Sequence, residues 1–185
     1  SYNGNQININ TFFDWIGSGW VSDERSTAEY SGSNLTQLLH EFFNGTQWDL
    51  ETRNVFTYSP NNKITLGEIQ FWDGSSWVVD ESFNYIFDGN GNRTEMISIG
   101  GPFNDKEDYI YDTSSLLSNF AHPFKDKTGI DYIEESFPYI NKILTITKSE
   151  FNSSTNQYDI TGRTTYNYNS TLSTEDYIVE DETIS

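Results

Sequence analysis

The sequence contains no cysteine. Disulfide bonds, thiol catalysis and cysteine-bound metal ions are therefore excluded. Basic residues are also scarce, because 10 Lys and Arg stand against 28 Asp and Glu and leave a net charge of −18. A surface this acidic repels phosphate backbones and anionic lipid headgroups, so nucleic acids and membrane surfaces are not expected as partners. Cations, basic protein surfaces and neutral ligands such as sugars stay open as partners.

Long apolar runs and catalytic motifs are missing as well. No window approaches 18 consecutive apolar residues, so no transmembrane helix is expected. The two histidines, His40 and His122, have no partner at a recognisable spacing, and no nucleophile or phosphate-binding motif is present. Adjacent acids such as Asp80 and Glu81 are expected by chance among 28 carboxylates. The sequence therefore indicates a protein that is not an enzyme.

Aromatic residues are abundant and recur at a fixed period. Trp20, Trp48 and Trp77 are spaced 28 and 29 residues apart, and we call them the anchors. The aromatic residues that precede the anchors by five positions are Trp15, Phe43 and Trp72. A weaker fourth copy has Tyr158 at the anchor position. A repeat of this kind indicates an array of one supersecondary unit.

Each repeat has the pattern of a β-hairpin. The links "IGSG", "NGTQ" and "DGSS" between the two aromatic residues are typical of tight turns, and the residues after each anchor alternate between apolar and polar. We expect a single all-β domain over residues 1–185, an antiparallel meander of roughly ten strands in a curled or barrel-like sheet. The repeats lie near 12–41, 42–70, 71–99 and 143–180. The insertion at 100–142 is expected to be partly helical, with one helix starting at Ser114 or Ser115 and ending before Pro123, and a second in "IDYIEESF".

Three of the four arginines occupy one repeat position. Arg25, Arg53 and Arg163 each lie five residues after an anchor, where the remaining copy has Ser82. Strict alternation places this position on the polar face, opposite the anchors. Two interpretations are open, of which cross-strand ion pairing is favoured. The other is a row of arginines that faces a ligand.

The repeats also resemble a known group of sequences. The stretch "FWDGSSWVVDESFNYIFDGNGNRTE" is similar to the tandem W-D-G-x-x-W … Y-x-Y-D-x-x-G-N repeats of secreted and cell-surface proteins of Bacteroidetes, and more distantly to the YD repeats of RHS-type proteins. The later stretches "YIYDTSSLLSNFAHPF", "YINKILTITKSEF" and "TTYNYNS" are similar to uncharacterised lipoprotein-like β-meander domains of Bacteroidetes. The resemblance implies export to the cell surface and an antiparallel sheet, and it implies no catalytic residues. A chain that begins at Ser1 is expected of a processed product.

Two candidate cation sites can be read from the acids and amides. Asp88, Asn90 and Asn92 alternate as the first ligands of a calcium loop do, although Arg93 and Ile99 stand where such a loop needs Gly and Glu. The favoured interpretation is a hairpin turn, with Ca²⁺ as the alternative. The second candidate site consists of the acids of the insertion, namely Asp105, Glu107, Asp108 and Asp112. No other cofactor is expected.

The candidate binding residues are the repeat aromatics and arginines, namely Trp15, Trp20, Phe43, Trp48, Trp72, Trp77, Arg25, Arg53 and Arg163. The anchors share alternation with Val79 and Phe83, so packing on the buried face is favoured over binding. The expected function is a non-catalytic binding or scaffold module, extracellular or on the outer-membrane surface, that belongs to an envelope assembly and binds a protein. The alternatives are a carbohydrate-binding module and a carrier whose apolar cavity is lined by Tyr85 and Phe87.

Overall fold

The structure is a computed structural model, and it describes residues 1–4, 6–100, 103–117, 140–168 and 177–183. The chain divides into two compact units, which are described separately below. The N-terminal unit contains the described residues up to Ser82, and the C-terminal unit contains those from Phe83 onward.

Strands account for nearly all of the described residues. In chain order they are β1 (Tyr2–Asn3), β2 (Gln6–Ile7), β3 (Ile9–Trp15), β4 (Trp20–Ser31), β5 (Asn34–Phe43), β6 (Trp48–Tyr58), β7 (Ile64–Trp72), β8 (Trp77–Phe87), β9 (Arg93–Gly100), β10 (Phe103–Leu116), β11 (Asn141–Asn152), β12 (Gln157–Tyr168) and β13 (Tyr177–Thr183). Strands end and begin at the repeat aromatics, as with β3 at Trp15 and β4 at Trp20.

The strands form one meander. β1 and β2 pair with each other, and β3 to β13 form an eleven-stranded sheet in the order of the sequence. The resolved registers, from β3–β4 to β12–β13, are antiparallel. The prediction of an all-β antiparallel meander is confirmed. The strand order begins at β3 and ends at β13, and no ladder joins these two within the described residues, so the barrel-like alternative is wrong because closure requires that ladder.

The predicted insertion at 100–142 is partly sheet. β10 pairs with β9 from Phe103 onward and with β11. The alternating residues of "DYIYD" therefore belong to a strand. Ser114 and Ser115 lie in β10, and the predicted helix start there is therefore wrong. Residues 118–122 of that helix and the whole of the second one lie outside the described residues. In the part of the chain that the structure describes, no helix is long and apolar enough to cross a membrane.

The core of the N-terminal unit is small. Leu38 is fully buried and packs with Ala28 and Leu35. Around them, the Tyr30 hydroxyl donates a hydrogen bond to the Ile7 carbonyl oxygen at 3.1 Å. Ten residues after the next anchor, the Tyr58 hydroxyl donates in the same way to the Leu35 carbonyl oxygen at 2.8 Å. In these two repeats the tyrosine therefore ties its strand to an earlier one.

In the second and third repeats, the side chain of the first turn residue holds the turn between the paired aromatic residues. Asn44 Oδ1 accepts hydrogen bonds from the backbone N–H groups of Thr46 and Gln47, both at 3.0 Å. The Asp73 carboxylate accepts the equivalent backbone bonds at 2.8 Å, and these bonds, led by the one from Ser76, lower the pKa of Asp73 to about 2. Glycine follows in each turn because its φ is positive, 95° at Gly45.

Candidate functional site

Each anchor packs against its preceding aromatic residue across the turn, with the two rings steeply inclined to each other. In the three N-terminal copies the ring centroids are 5.5 Å apart for Trp15 and Trp20, 5.2 Å for Phe43 and Trp48, and 5.3 Å for Trp72 and Trp77. Neighbouring pairs are separated by two strands, which corresponds to about 10 Å along the sheet. The three pairs therefore form a regular row across the N-terminal unit.

Arginines join one pair to the next. The Arg25 Cζ atom of β4 lies 4.6 Å from the ring centroid of Trp48 on β6. The Arg53 Cζ atom of β6 lies 4.6 Å from the ring centroid of Trp77 on β8. Each arginine therefore stacks on the anchor of the following repeat, an arrangement worth about 0.5–2 kcal/mol per cation–π contact. We call the six aromatic residues and these two arginines the aromatic–arginine row.

The prediction that arginines and anchors face opposite sides of the sheet is wrong because the strands that carry these arginines, β4, β6 and β12, each contain a bulge. In β4, Ser22 pairs with Phe13 and Arg25 with Thr11, so two residues of β4 stand opposite Phe12 alone. The extra residue shifts the alternation, and a position five residues after the anchor returns to the anchor's side. β6 and β12 shift register at the equivalent place. Counting with a period of two could not reveal this extra residue.

Polar side chains on the neighbouring strand fix the arginines. Arg25 makes a bidentate ion pair with Glu41 at 2.8 and 2.7 Å, and Glu41 is only 7% exposed. Arg53 donates hydrogen bonds to the Oε1 atoms of Gln70 at 2.8 Å and Gln37 at 3.1 Å. The cross-strand ion pairing that was favoured for this position is present at Arg25.

The row is open at its first pair. Trp15 is 57% exposed and Trp20 is 69% exposed, whereas Trp48 and Trp77 are half-buried beneath their arginines. The prediction that the anchors lie on the buried face is therefore wrong for Trp20. β3 is the end strand of the sheet, so the first pair has no hairpin in front of it in the described structure.

Arg163 belongs to the C-terminal unit and is not part of this row. It lies on β12 opposite Thr147 of β11. The local aromatic pair is Phe151 and Tyr158, with ring centroids 5.4 Å apart. The fourth copy therefore keeps the cross-turn ring contact of the other three.

The candidate calcium ligands form a hydrogen-bonded turn. Asp88 Oδ1 accepts from the backbone N–H groups of Asn90 and Asn92 at 2.9 and 2.8 Å. Burial alone raises the pKa of Asp88, but hydrogen bonds from Asn92 and Asn90 outweigh it and lower the pKa below its usual value. Asn92 Oδ1 accepts two backbone N–H groups, from Ile140 and Asn141. These oxygens already accept hydrogen bonds, as expected of the hairpin turn that is the favoured interpretation of this sequence.

Three of the four candidate acids of the insertion, Glu107, Asp108 and Asp112, are paired with other groups. The Lys106 ammonium lies 3.0 Å from the Asp108 carboxylate and 3.3 Å from that of Glu95, and Lys142 lies 3.6 Å from Asp112. The hydrogen bond to Asp108 leads the contributions that raise the pKa of Lys106. Glu107 accepts a hydrogen bond from the Tyr109 hydroxyl. Within the described residues, no three His, Asp or Glu side chains converge as a metal site requires.

A buried amide pair in the C-terminal unit was not found from the sequence. Asn92 is 0% exposed, and its Nδ2 atom donates to Asn141 Oδ1 at 2.9 Å. The Asn141 amide donates in turn to the carbonyl oxygens of Thr113 and Ser115, both at 3.3 Å. The pair therefore joins the β8–β9 turn to the end of β10 and the start of β11. The two asparagines are 49 residues apart, so no local pattern indicates their contact.

The predicted lining of an apolar cavity is packed with polar partners. Tyr85 is buried, its ring stacks on Phe83 with centroids 6.4 Å apart, and Arg93 Cζ lies 5.7 Å from its centroid. Arg93 also lies 4.5 Å from the Tyr109 ring centroid. The space between the Tyr85 and Tyr109 rings is therefore occupied by the Arg93 guanidinium.

Comparison with known proteins gives only distant structural likenesses. No model of a protein family matches the sequence, and no curated protein matches it. Among solved structures, a DUF3836 family protein from Bacteroides vulgatus is 13% identical with a TM-score of 0.35, over 75% of this chain and 90% of that chain. A protein of unknown function from Bacteroides fragilis is 12% identical with a TM-score of 0.36, over 87% of this chain and 91% of that chain. Scores this low carry no argument about this chain.

Proposed function

We propose that the protein is a non-catalytic binding module of a bacterial cell surface and that it binds another protein as a scaffold component of an envelope assembly. The observation that carries the proposal is the exposed apolar surface of the first hairpin, β3 and β4. Exposed aromatic residues that lie together are typical of protein interfaces, since soluble monomers rarely leave them in water.

The first hairpin exposes large side chains on both of its faces. Cross-strand pairing places Phe13, Trp15 and Trp20 on the side of the row, and Phe13 is 51% exposed. Phe12 and Val21 are exposed on the opposite side. In the two later hairpins of the N-terminal unit the equivalent aromatic pairs are half-buried. The excess of exposed apolar surface therefore lies at one end of the N-terminal unit.

Catalysis is not supported by the one histidine that the structure describes. His40 Nδ1 lies 3.1 Å from Ser26 Oγ, which is the spacing of a nucleophile and its base. Ser26 is only 4% exposed, so a substrate has no access to its hydroxyl. The pair fits a hydrogen bond between β4 and β5 better than a catalytic pair.

Carbohydrate binding is favoured less by the geometry. A glycan platform needs exposed rings that lie in one plane, and the paired rings are inclined to each other by 62°, 54° and 60°. Arg25 and Arg53 already cover Trp48 and Trp77. The exposed Trp15–Trp20 pair is the one place in the row where a sugar ring could stack.

The proposal is tested by affinity capture from native envelope extract with the tagged chain, once with calcium and once with a chelator. A protein retained in stoichiometric amount is the expected result, unchanged by the chelator because Asp88 and Asn92 are engaged in hydrogen bonds. A matched control is the variant Phe13→Ser with Trp20→Ser, which removes apolar surface from the first hairpin alone. Failure to retain any protein, from an extract shown to be intact, would contradict the proposal and leave glycan arrays as the next test.

A further inference from the structure

The row repeats a contact that its first anchor lacks. The arginine over Trp48 comes from β4 and the arginine over Trp77 comes from β6, in each case two strands before the anchor's own strand. For Trp20 on β4, the equivalent arginine would belong to a strand outside β3. No cation lies over the Trp20 ring in the part of the chain that the structure describes, and the ring is 69% exposed. The position over the Trp20 ring therefore lacks the arginine that the other two anchors have.

The backbone of β3 can accept such a strand. Ile9 already bonds across the outer edge, since its N–H donates to the Ser1 carbonyl oxygen at 3.4 Å and its own carbonyl oxygen accepts from the Ser1 amino group. Backbone groups alternate between the two sides of a strand, so those of Thr11, Phe13 and Trp15 point to the same outer side. β3 contains neither Lys nor Pro, the residues with which proteins usually protect an edge.

The charge near this edge favours a cation. Residues 1–24 include Asp14, Asp23 and Glu24 but neither Lys nor Arg, and the whole chain carries a net charge of −18. In the later repeats the chain supplies its own arginine beside the anchor. At the first anchor the exposed rings and nearby acids are present without an arginine from residues 1–24, so this position has the chemistry to bind a guanidinium.

We propose that the outer edge of β3 binds an extended segment of a partner protein as an added antiparallel strand, and that an arginine of this segment stacks on Trp20. The inference deepens the proposed function and rests on it. The register follows from the later repeat, where Arg25 pairs with Glu41, two residues before Phe43. The corresponding residue of β3 is Phe13, so the incoming arginine lies opposite Phe13. Backbone bonds supply the affinity in strand addition, and such side-chain contacts supply the specificity.

A synthetic peptide provides a probe of known sequence. Its sequence copies residues 21–31 of β4, the strand that places Arg25 over Trp48, with Asp23→Asn, Glu24→Gln and Glu29→Gln so that arginine is its only charged side chain. A second peptide is identical except that the arginine is glutamine. Binding of each dye-labelled peptide to the folded chain is measured by fluorescence anisotropy. We expect the arginine peptide to bind about 2- to 30-fold more tightly, the range of a cation–π contact.

Variants of the protein separate the backbone contact from the ring contact. Thr11→Pro removes an outward N–H without removing a bond to β4, and Thr11→Ala keeps the N–H while it removes the side chain. We expect the proline variant to lose peptide binding and the alanine variant to keep it. Trp20→Leu keeps an apolar side chain without a π face, so it should abolish the difference between the two peptides. Circular dichroism confirms that each variant is folded.

Each outcome decides the inference. It is overturned if neither peptide binds, if both bind wild type equally, or if Thr11→Pro binds as Thr11→Ala does. Light scattering tests a second copy as the occupant, and dimerisation that Thr11→Pro abolishes would overturn the partner proposed here. If envelope capture retains a protein whose binding is indifferent to Thr11→Pro and Trp20→Leu, the proposed function stands and the strand addition falls. If capture fails while the arginine peptide binds as expected, the edge chemistry stands and the envelope role falls.

Discussion

Replacing Asn92 by alanine should destabilise the C-terminal unit strongly. The side chain is 0% exposed and makes four hydrogen bonds beyond its own backbone. Its Nδ2 atom donates to Asp88 Oδ2 and Asn141 Oδ1, both at 2.9 Å. Its Oδ1 atom accepts from the N–H groups of Ile140 at 3.1 Å and Asn141 at 2.8 Å. Alanine leaves all four of these partner groups without the bond.

The cost can be estimated from the burial of those partners. Asn141 is 4% exposed, so water cannot replace the bonds to its N–H and its Oδ1, and each buried group left unsatisfied costs about 1–3 kcal/mol. Asp88 and Ile140 are accessible to water, which offsets most of their loss. We therefore expect the free energy of unfolding to fall by about 2–4 kcal/mol, a large part of a typical domain stability of about 5–15 kcal/mol.

Urea unfolding followed by far-ultraviolet circular dichroism measures this loss. All five tryptophans lie between residues 15 and 77, so tryptophan fluorescence reports on the N-terminal unit and shows whether both units unfold together. The matched control is Asn90→Ala in the same turn, where the side chain is exposed and a change within about 0.5 kcal/mol is expected. If Asn92→Ala costs no more than Asn90→Ala, the buried amide pair does not stabilise the fold as reasoned here.

Three further predictions concern the row and its turns. Arg25→Gln leaves the buried carboxylate of Glu41 without its bidentate partner and should cost about 1–3 kcal/mol in urea unfolding; equal stability would show that the pair contributes nothing. The lowered pKa of Asp73, 3.8 in the unfolded chain and about 2 when folded, means that its contribution to stability is present above about pH 4 and is lost as the pH falls towards about 2. Asp73→Asn should flatten stability over that range, and a carboxyl NMR titration of wild type near 3.8 would contradict the turn geometry. Tyr58→Phe removes the hydrogen bond to the Leu35 carbonyl oxygen and should cost about 1 kcal/mol, whereas an unchanged midpoint in urea would contradict that role.

The hairpins could be predicted because their signals are local. An aromatic residue, a glycine-containing turn and a second aromatic residue lie within six positions, and the strands end and begin there, as with Phe43 and Trp48. The turn at Asp88 could be predicted for the same reason. Alternation in "DYIYD" favours a strand, whereas Ser114 and Ser115 are typical helix-start residues, and in the structure the strand continues through both.

The side of the sheet on which a residue lies could not be predicted from counting. One bulge in each of β4, β6 and β12 shifts the alternation, and nothing in the sequence of β4 indicates the position of the extra residue. The stacking of Arg25 on Trp48 follows from that bulge, so it was missed together with it. Burial of Asn92 depends on Asn141, which folding alone brings near. Contacts between residues on different strands therefore could not be predicted from the sequence.

Amide hydrogen exchange tests the central claim, that the first hairpin is where this protein binds another, most directly. The tagged chain is measured alone and again after incubation with native envelope extract and recovery. We expect exchange to slow at the outward amides of Thr11, Phe13 and Trp15. Exchange at the Ile9 amide should change little, because that amide is already bonded to Ser1. Slower exchange confined to other strands, or no slowing at all, would contradict it.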